Sequence, residues 1–90
     1  WVSEAQYPYI ETKPLHGSQR IIRGARAEQL HKDYGFDDGH FVEISCIINT
    51  ELKQLIASFI DQVVILTPTS LRDEMMGRLE SLIKKYITRT

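Results

Sequence analysis

The clearest structural signal in the chain lies in residues 41–68, which read FVEISCIINTELKQLIASFIDQVVILTP. Positions over 41–48 alternate between an apolar face and a mixed face, which predicts a strand. Apolar residues then recur at helical spacing over 52–60, which predicts a short amphipathic helix. The run 63–66 is apolar on both faces and predicts a further strand.

A last helix is predicted after this stretch. Ser70 and Asp73 have the spacing of a capping box at its start. A broad apolar stripe follows at helical spacing and comprises Leu71, Met75, Leu79, Leu82, Ile83, Tyr86 and Ile87.

The first forty residues predict shorter elements. Pro8 and Pro14 bracket a segment that is long enough for barely more than one helical turn. Residues 19–23 predict a short strand. Residues 25–34 have the composition of a helix, and Gly35 is its expected C-terminal stop.

The order of these elements predicts the fold class. With residues 1–2 as the tail of a first strand, and with the helix over 25–34 set aside as an addition, the order is strand, helix, strand, strand, helix, strand. This is the split βαβ order (βαββαβ) of an α+β ferredoxin-like sandwich, here with an added C-terminal helix and a single domain over residues 1–90. We expect the helices on one face of the sheet. The other face carries Phe41 and Ile47, which we predict as the oligomer interface of a closed two-fold dimer unless the C-terminal helix covers them.

Composition and charge exclude several classes of protein. Eleven Lys and Arg against twelve Asp and Glu give a net charge of −1, which excludes a uniformly basic nucleic-acid clamp and an acidic tail protein. The single cysteine, Cys46, excludes an internal disulfide framework and a cysteine-based zinc site. The sequence contains neither a membrane span nor a signal peptide, so we expect no membrane partner and a cytoplasmic location. Because the sequence begins at Trp1, we also expect a fragment of a longer chain.

The polar residues do not form a catalytic pattern. His16, His31 and His40 lie 15 and 9 residues apart, without the paired close spacing of zinc ligands. Ser18 lies near His16, but no nucleophile elbow surrounds it, so hydrogen bonds within a turn explain the pair better. We therefore expect no enzyme activity, no metal and no cofactor.

Charge is unevenly distributed along the chain. Residues 13–32 carry five basic side chains against one acidic one, whereas residues 33–43 carry four acidic side chains and no Lys or Arg. One interpretation is a solvated surface on which the two blocks neutralise each other. The other is an anion-facing patch of Arg20, Arg23 and Arg26, because guanidinium groups suit phosphate oxygens.

Three segments, taken in order, resemble a known family. Residues 9–19 read YIETKPLHGSQ, an Asn-x-Glu-Leu follows at 49–52, and residues 63–72 read VVILTPTSLR. This set resembles the C-terminal extension of the WYL-domain bacterial transcriptional regulators over nearly the whole chain. Two departures are visible: the Trp-Tyr-Leu motif itself is absent, and the stretch 24–35 is longer than the turn usual in that family.

The resemblance implies a regulator with an N-terminal helix-turn-helix, a small WYL β-barrel and this extension. It implies that the extension helps to sense an effector, a nucleic acid or nucleotide, and to form a homodimer. The implied partners are therefore the upstream WYL barrel and helix-turn-helix of the same chain. The alternative interpretation is a free-standing ferredoxin-like sensor of a small ligand.

The bend after Pro14 carries the residues that we assign to the junction with that barrel or to its effector, namely His16 and Gln19. A neutral imidazole and an amide supply donors and acceptors there without the cost of burying charge. Arg20, Arg23 and Arg26 are the further effector contacts that we predict. The alternative is that polar side chains at the bend satisfy backbone groups, a role that we assign to Ser18.

Overall fold

Short strands and helices alternate along the first two thirds of the chain, and a long helix follows them. The structure, a computed structural model, describes residues 1–88. Residues 89–90, which the predicted single domain includes, lie outside the described residues. In chain order the elements are α1 (Tyr7–Thr12), β1 (Arg20–Ile22), α2 (Gly24–Tyr34), β2 (Phe41–Glu43), α3 (Thr50–Ala57), a 3₁₀ turn (Ile60–Gln62) and α4 (Thr69–Thr88).

Local signals fix where the helices begin and end. Pro8 lies in the first turn of α1, where its missing N–H costs nothing. Gly35 ends α2 in the left-handed region with a φ of 73°, and its N–H donates to the His31 carbonyl. The side chain of Asn49 caps α3 by accepting a hydrogen bond from the Leu52 N–H at 2.9 Å. Each predicted helix is present, with its ends shifted by a few residues.

The N-terminal segment lies at the centre of a small sheet. β1 and β2 pair antiparallel, with Ile21 opposite Val42. Val2 forms isolated antiparallel bridges to His40 on one side and to Val63 on the other. Four segments therefore lie side by side, in the lateral order 63–64, 1–3, 40–43 and 20–22.

The strand predicted over 41–48 is shorter than expected. It ends at Glu43 because its partner β1 begins at Arg20, which is opposite Glu43 in the register. Beyond that point the Ser45 N–H donates to the hydroxyl oxygen of Ser18 at 2.9 Å instead of to a neighbouring strand. The alternation in the sequence therefore continues past the point at which the pairing stops.

The strand predicted over 63–66 is present only as contacts with the N-terminal segment. Val63 bridges Val2, and the Val64 N–H donates to the Trp1 carbonyl at 2.9 Å. Residues 65–66 have no ladder partner within residues 1–88. The fold is thus mixed α/β with a two-stranded antiparallel sheet and a C-terminal helix, and the regular sheet is smaller than the predicted βαββαβ sandwich.

Helices cover both faces of the sheet, whereas the sequence predicted helices on one face. Residues alternate between the two faces along β2, so His40 shares the Val42 face and Phe41 lies on the opposite one. On the Val42 face, Tyr7 of α1 stacks against His40 with ring centroids 3.7 Å apart. On the other face, His31 of α2 meets Phe41 edge-on at 4.7 Å.

Phe41 is therefore a core residue of its own chain, with only 2% of its surface exposed. The sequence placed it on a face left for the C-terminal helix or a second copy. The structure covers it with α2, because this 11-residue helix packs on the Phe41 face of the sheet through His31. Phe36, just after that helix, also packs against Phe41 at 6.3 Å and stacks on Trp1 at 4.5 Å.

The first turns of α4 attach it to the rest of the fold. Leu71 is buried, and the Glu74 carboxylate accepts a hydrogen bond from Lys53 of α3, with 3.0 Å between the charged groups. From Met76 onwards every described residue of the helix is exposed. The helix therefore lengthens the molecule, which measures 45 × 27 × 24 Å.

Candidate functional site

The bend between α1 and β1 is held by the side chain of Gln19. Its Oε1 accepts a hydrogen bond from the Leu15 N–H at 2.9 Å, and its Nε2 donates to the Ile10 carbonyl at 3.0 Å. Ile10 is fully buried, so these bonds tie the end of α1 to the start of the sheet. Both ends of the Gln19 amide are thus engaged within the chain, which matches the interpretation in which a polar side chain satisfies backbone groups.

His16 and Ser18 form a small network on the surface of the same bend. The Ser18 N–H donates to Nδ1 of His16 at 3.1 Å, so Nδ1 is the acceptor and Nε2 carries the proton of the neutral ring. The Ser18 hydroxyl lies 2.8 Å from Nδ1 and donates to it, while its oxygen accepts from the Ser45 N–H. The imidazole is exposed and keeps its Nε2–H as a donor toward the outside.

Two of the three predicted arginines lie on the same side of the sheet as Glu43. Arg26 of α2 donates to Glu43 at 3.2 Å, and Arg20 is opposite Glu43 in the β1–β2 register. The Arg26–Glu43 pair is mostly exposed, so it contributes little to stability. Within the described part of the chain no ion pair is found for Arg20, which leaves its guanidinium available to an outside anion.

Arg23 lies away from this pair, on the α1 side of the sheet. It contacts the phenol of Tyr7, which also donates a hydrogen bond to the carboxylate of Glu11. The bond to Glu11 and partial burial raise the pKa of Tyr7, and the nearby Arg23 cation opposes them. The predicted three-arginine patch is therefore divided between the two faces of the sheet.

A groove beside His16, which we call the lateral cleft, has a volume of about 420 Å³. It lies between the bend and the start of α3, and the Ser18–Ser45 hydrogen bond brings these two segments together. Ile47 stands at this groove with 88% of its surface exposed. The residues that line it include Leu15, His16, Cys46, Ile47, Glu51 and Leu55.

The lateral cleft brings together two residues for which the sequence predicts different roles. His16 was predicted as a junction contact and Ile47 as an oligomer contact, and the structure places both at one groove. Leu15, Glu51 and Leu55 were missed, because no local pattern marks them and their proximity depends on a contact across 27 residues. Nothing in the structure tests what Ile47 binds, so its interface role stays a prediction.

A larger space, which we call the central cleft, has a volume of about 630 Å³ and mostly apolar walls. It reaches the base of α4, where Pro68 and Leu71 form part of its lining. The Arg26–Glu43 pair and Cys46 also border it. Other lining residues come from α2, α3, the sheet and the segment that leads to α4, among them Ile22, Leu30, Tyr34, Ile56 and Ile65.

The described residues contain neither a candidate metal site nor a candidate membrane-spanning helix. Across residues 1–88, no three His, Cys, Asp or Glu side chains come together in a way that could hold a metal ion. The helices of that same range are each too short or too polar to cross a membrane.

Comparison with known proteins gives one match. The model of the WCX domain family matches residues 1–83, which include α1 to α3 and most of α4. No curated protein and no solved structure matches the chain.

Proposed function

The chain belongs to the WCX domain family, the C-terminal domain found in WYL-containing regulators, and on this premise we propose that it is the regulatory and oligomerisation module of a WYL-type transcriptional regulator. In this role it contributes to effector sensing and to dimerisation. Its partners are the WYL barrel and the helix-turn-helix of the same chain, in the cytoplasm. It performs no catalysis itself. The family match over residues 1–83 is the observation that carries the proposal.

We further propose that the complete fold is the ferredoxin-like split βαβ sandwich, with α2 as an additional helix between its second and third strands along the chain. The lateral order 63–64, 1–3, 40–43, 20–22 supports this, because every described neighbour pair is antiparallel. In that order segment 40–43 separates the two strands that flank α1, and segment 1–3 separates the two that flank α3. This separation is the mark of the split βαβ pattern.

The lateral cleft is the proposed junction with the WYL barrel. Ile47 has a branched apolar side chain that is 88% exposed, and it lines the groove together with Leu55 and the polar imidazole of His16. An exposed apolar residue in this setting favours a surface that another domain covers. His16 supplies a neutral donor there through Nε2, and Gln19 holds the bend that presents it. Ile47 contacts the barrel or a second copy through this groove.

Arg20 is the proposed principal effector contact, with Arg26 and Arg23 as secondary ones. Arg20 has no ion pair within residues 1–88, whereas Arg26 must first leave Glu43 and Arg23 must leave Tyr7. An anionic effector such as a nucleic acid or nucleotide is the ligand that a free guanidinium fits best.

The test uses the regulator chain that carries this domain together with its barrel and helix-turn-helix. A fluorescent single-stranded oligonucleotide serves as the probe, and its affinity is measured over a range of salt concentrations. Replacing Arg20 by Ala should weaken binding and reduce the slope of log affinity against log salt by about 0.7, the value for one lost phosphate contact on a single strand. Lys84→Ala, on α4, is the matched control and should leave the slope unchanged. Unchanged affinity and slope for Arg20→Ala, Arg23→Ala and Arg26→Ala would favour a merely solvated surface.

The alternative, a free-standing sensor of a small ligand, is favoured by the central cleft, whose volume and apolar walls suit such a ligand. The two functions differ in what the 90-residue chain does alone. A free-standing sensor binds its ligand and is stabilised by it without any other domain, whereas the regulatory module responds fully only in the intact regulator.

A further inference from the structure

The central cleft reaches the core of the molecule. Three of the four buried apolar residues in the described part of the chain, Val2, Phe41 and Leu71, belong to its lining, and they are 2%, 2% and 7% exposed. The half-buried Leu30 of α2 and Ile56 of α3 form part of its walls. A cleft that narrows toward side chains of such low exposure favours a small molecule over a helix or a strand of another protein.

The charged side chains of the cleft walls compensate each other. Among the described residues that line the cleft, only Arg26 and Glu43 have charged side chains, and these two pair with each other at 3.2 Å. A charged ligand would lose hydration in the cleft without meeting a free counter-ion among these side chains, which is unfavourable. The lining therefore favours an uncharged ligand.

Two residues with a hydroxyl group also line the cleft, Tyr34 and Thr67. The side chain of neither forms a hydrogen bond within residues 1–88. Each hydroxyl can both donate and accept. A ligand with one hydroxyl or carbonyl group and an otherwise apolar body matches this lining.

The central cleft shares part of its wall with the lateral cleft. Leu15, Cys46 and Leu52 line both of them. A ligand in the central cleft therefore lies next to the surface that we propose as the junction with the WYL barrel.

We infer that the central cleft is a binding site for an uncharged, mainly apolar small molecule that carries a hydroxyl or carbonyl group. Its volume of about 630 Å³ is typical of ligand sites, which range from about 300 to about 1,000 Å³. This ligand differs in class from the anion proposed for Arg20. The inference rests on the proposed function only where it makes this molecule an effector of the regulator through the shared wall.

Two fluorescent probes with one ring skeleton test the site on the 90-residue chain. Phenylnaphthylamine is uncharged, and anilinonaphthalenesulfonate adds a sulfonate to the same skeleton. The uncharged probe should bind saturably, with one probe per chain, and at least about tenfold more tightly than the sulfonate. Equal or tighter binding of the sulfonate would overturn the uncharged class of ligand.

Two neighbouring residues of α3 distinguish the two clefts. Ile56 lines the central cleft alone, and Leu55 lines the lateral cleft alone. Ile56→Trp should fill the site and weaken binding of the uncharged probe at least about tenfold. Leu55→Trp is the matched control and should leave its affinity unchanged. Unchanged affinity for Ile56→Trp, or a loss confined to Leu55→Trp, would place the probe elsewhere and overturn the site.

The thiol of Cys46 gives a second readout that needs no substitution, because Cys46 lines the cleft. The uncharged probe should slow the reaction of this thiol with an aromatic disulfide reagent, in proportion to the occupancy of the site. An unchanged rate at saturating probe, or no saturable binding by a chain that unfolds cooperatively, would overturn the site. Either failure leaves the proposed function standing, since the Arg20 assay uses a nucleic acid and does not involve this cleft.

Discussion

Replacing Gln19 by Ala should destabilise the chain markedly, although the side chain lies on a surface bend. The substitution removes the bonds of 2.9 Å to the Leu15 N–H and 3.0 Å to the Ile10 carbonyl. Each is worth about 1 kcal/mol net, and both sites are partly buried, so water replaces the amide poorly. We expect a loss of about 2 kcal/mol in the free energy of unfolding. For a chain of 90 residues this lowers the melting temperature by about 10 °C.

Thermal and urea unfolding followed by circular dichroism measure this loss, with two variants for comparison. Gln19→Glu keeps the acceptor for Leu15 but turns a carboxylate oxygen toward the Ile10 carbonyl, so it should not rescue stability. His16→Ala, in the same bend, should change the free energy of unfolding by less than about 0.5 kcal/mol, because its network is exposed. If the free energy of unfolding of Gln19→Ala lies within about 0.5 kcal/mol of that of the parent chain, Gln19 does not hold the bend. Its predicted role as a junction contact would then stand alone.

Two further substitutions test the helices. Asn49→Ala removes the cap that accepts a hydrogen bond from the Leu52 N–H, and it should lower the free energy of unfolding in urea by about 1 kcal/mol. Asn49→Asp keeps an acceptor and should be nearly neutral. Equal stability of Asn49→Ala and the parent chain would show that the cap is dispensable. Gly77→Ala, inside exposed α4 with nothing within 4 Å of the added methyl group, should stabilise helix and chain by up to about 1 kcal/mol. An unchanged melting temperature for Gly77→Ala would mean that the exposed α4 unfolds independently of the rest of the fold, and a lower one that the helix packs closely at this glycine.

Helices could be predicted from the sequence because their signals are local. The caps at Asn49 and Gly35 and the apolar spacing of α4 lie within a few residues of the backbone groups that they affect. Strand lengths could not be predicted, since the end of β2 at Glu43 depends on where a distant partner begins. The alternation over 41–48 indicates which side chains a strand would bury there, but it does not indicate how far that strand pairs with a neighbour.

The site was predictable only in part, for the same reason. Strand alternation over 19–23 already separates Arg20 from Arg23, so the sequence alone could have divided the arginine patch. The burial of Phe41 required knowing on which face of the sheet α2 packs, and no local signal in residues 24–34 specifies that. The meeting of His16 with Ile47 depends on the hydrogen bond between Ser18 and Ser45, which no spacing in the sequence announces.

The mass of the chain in solution tests the proposed role in oligomerisation most directly. Size-exclusion chromatography with multi-angle light scattering should give about twice the 10.4 kDa of one copy at high concentration. The mass should return toward that of one copy on dilution and for Ile47→Asp, while Lys84→Ala behaves as the parent chain. A mass of one copy at every concentration would contradict the proposed oligomerisation, and a dimer that Ile47→Asp leaves intact would contradict the assignment of Ile47 to its interface.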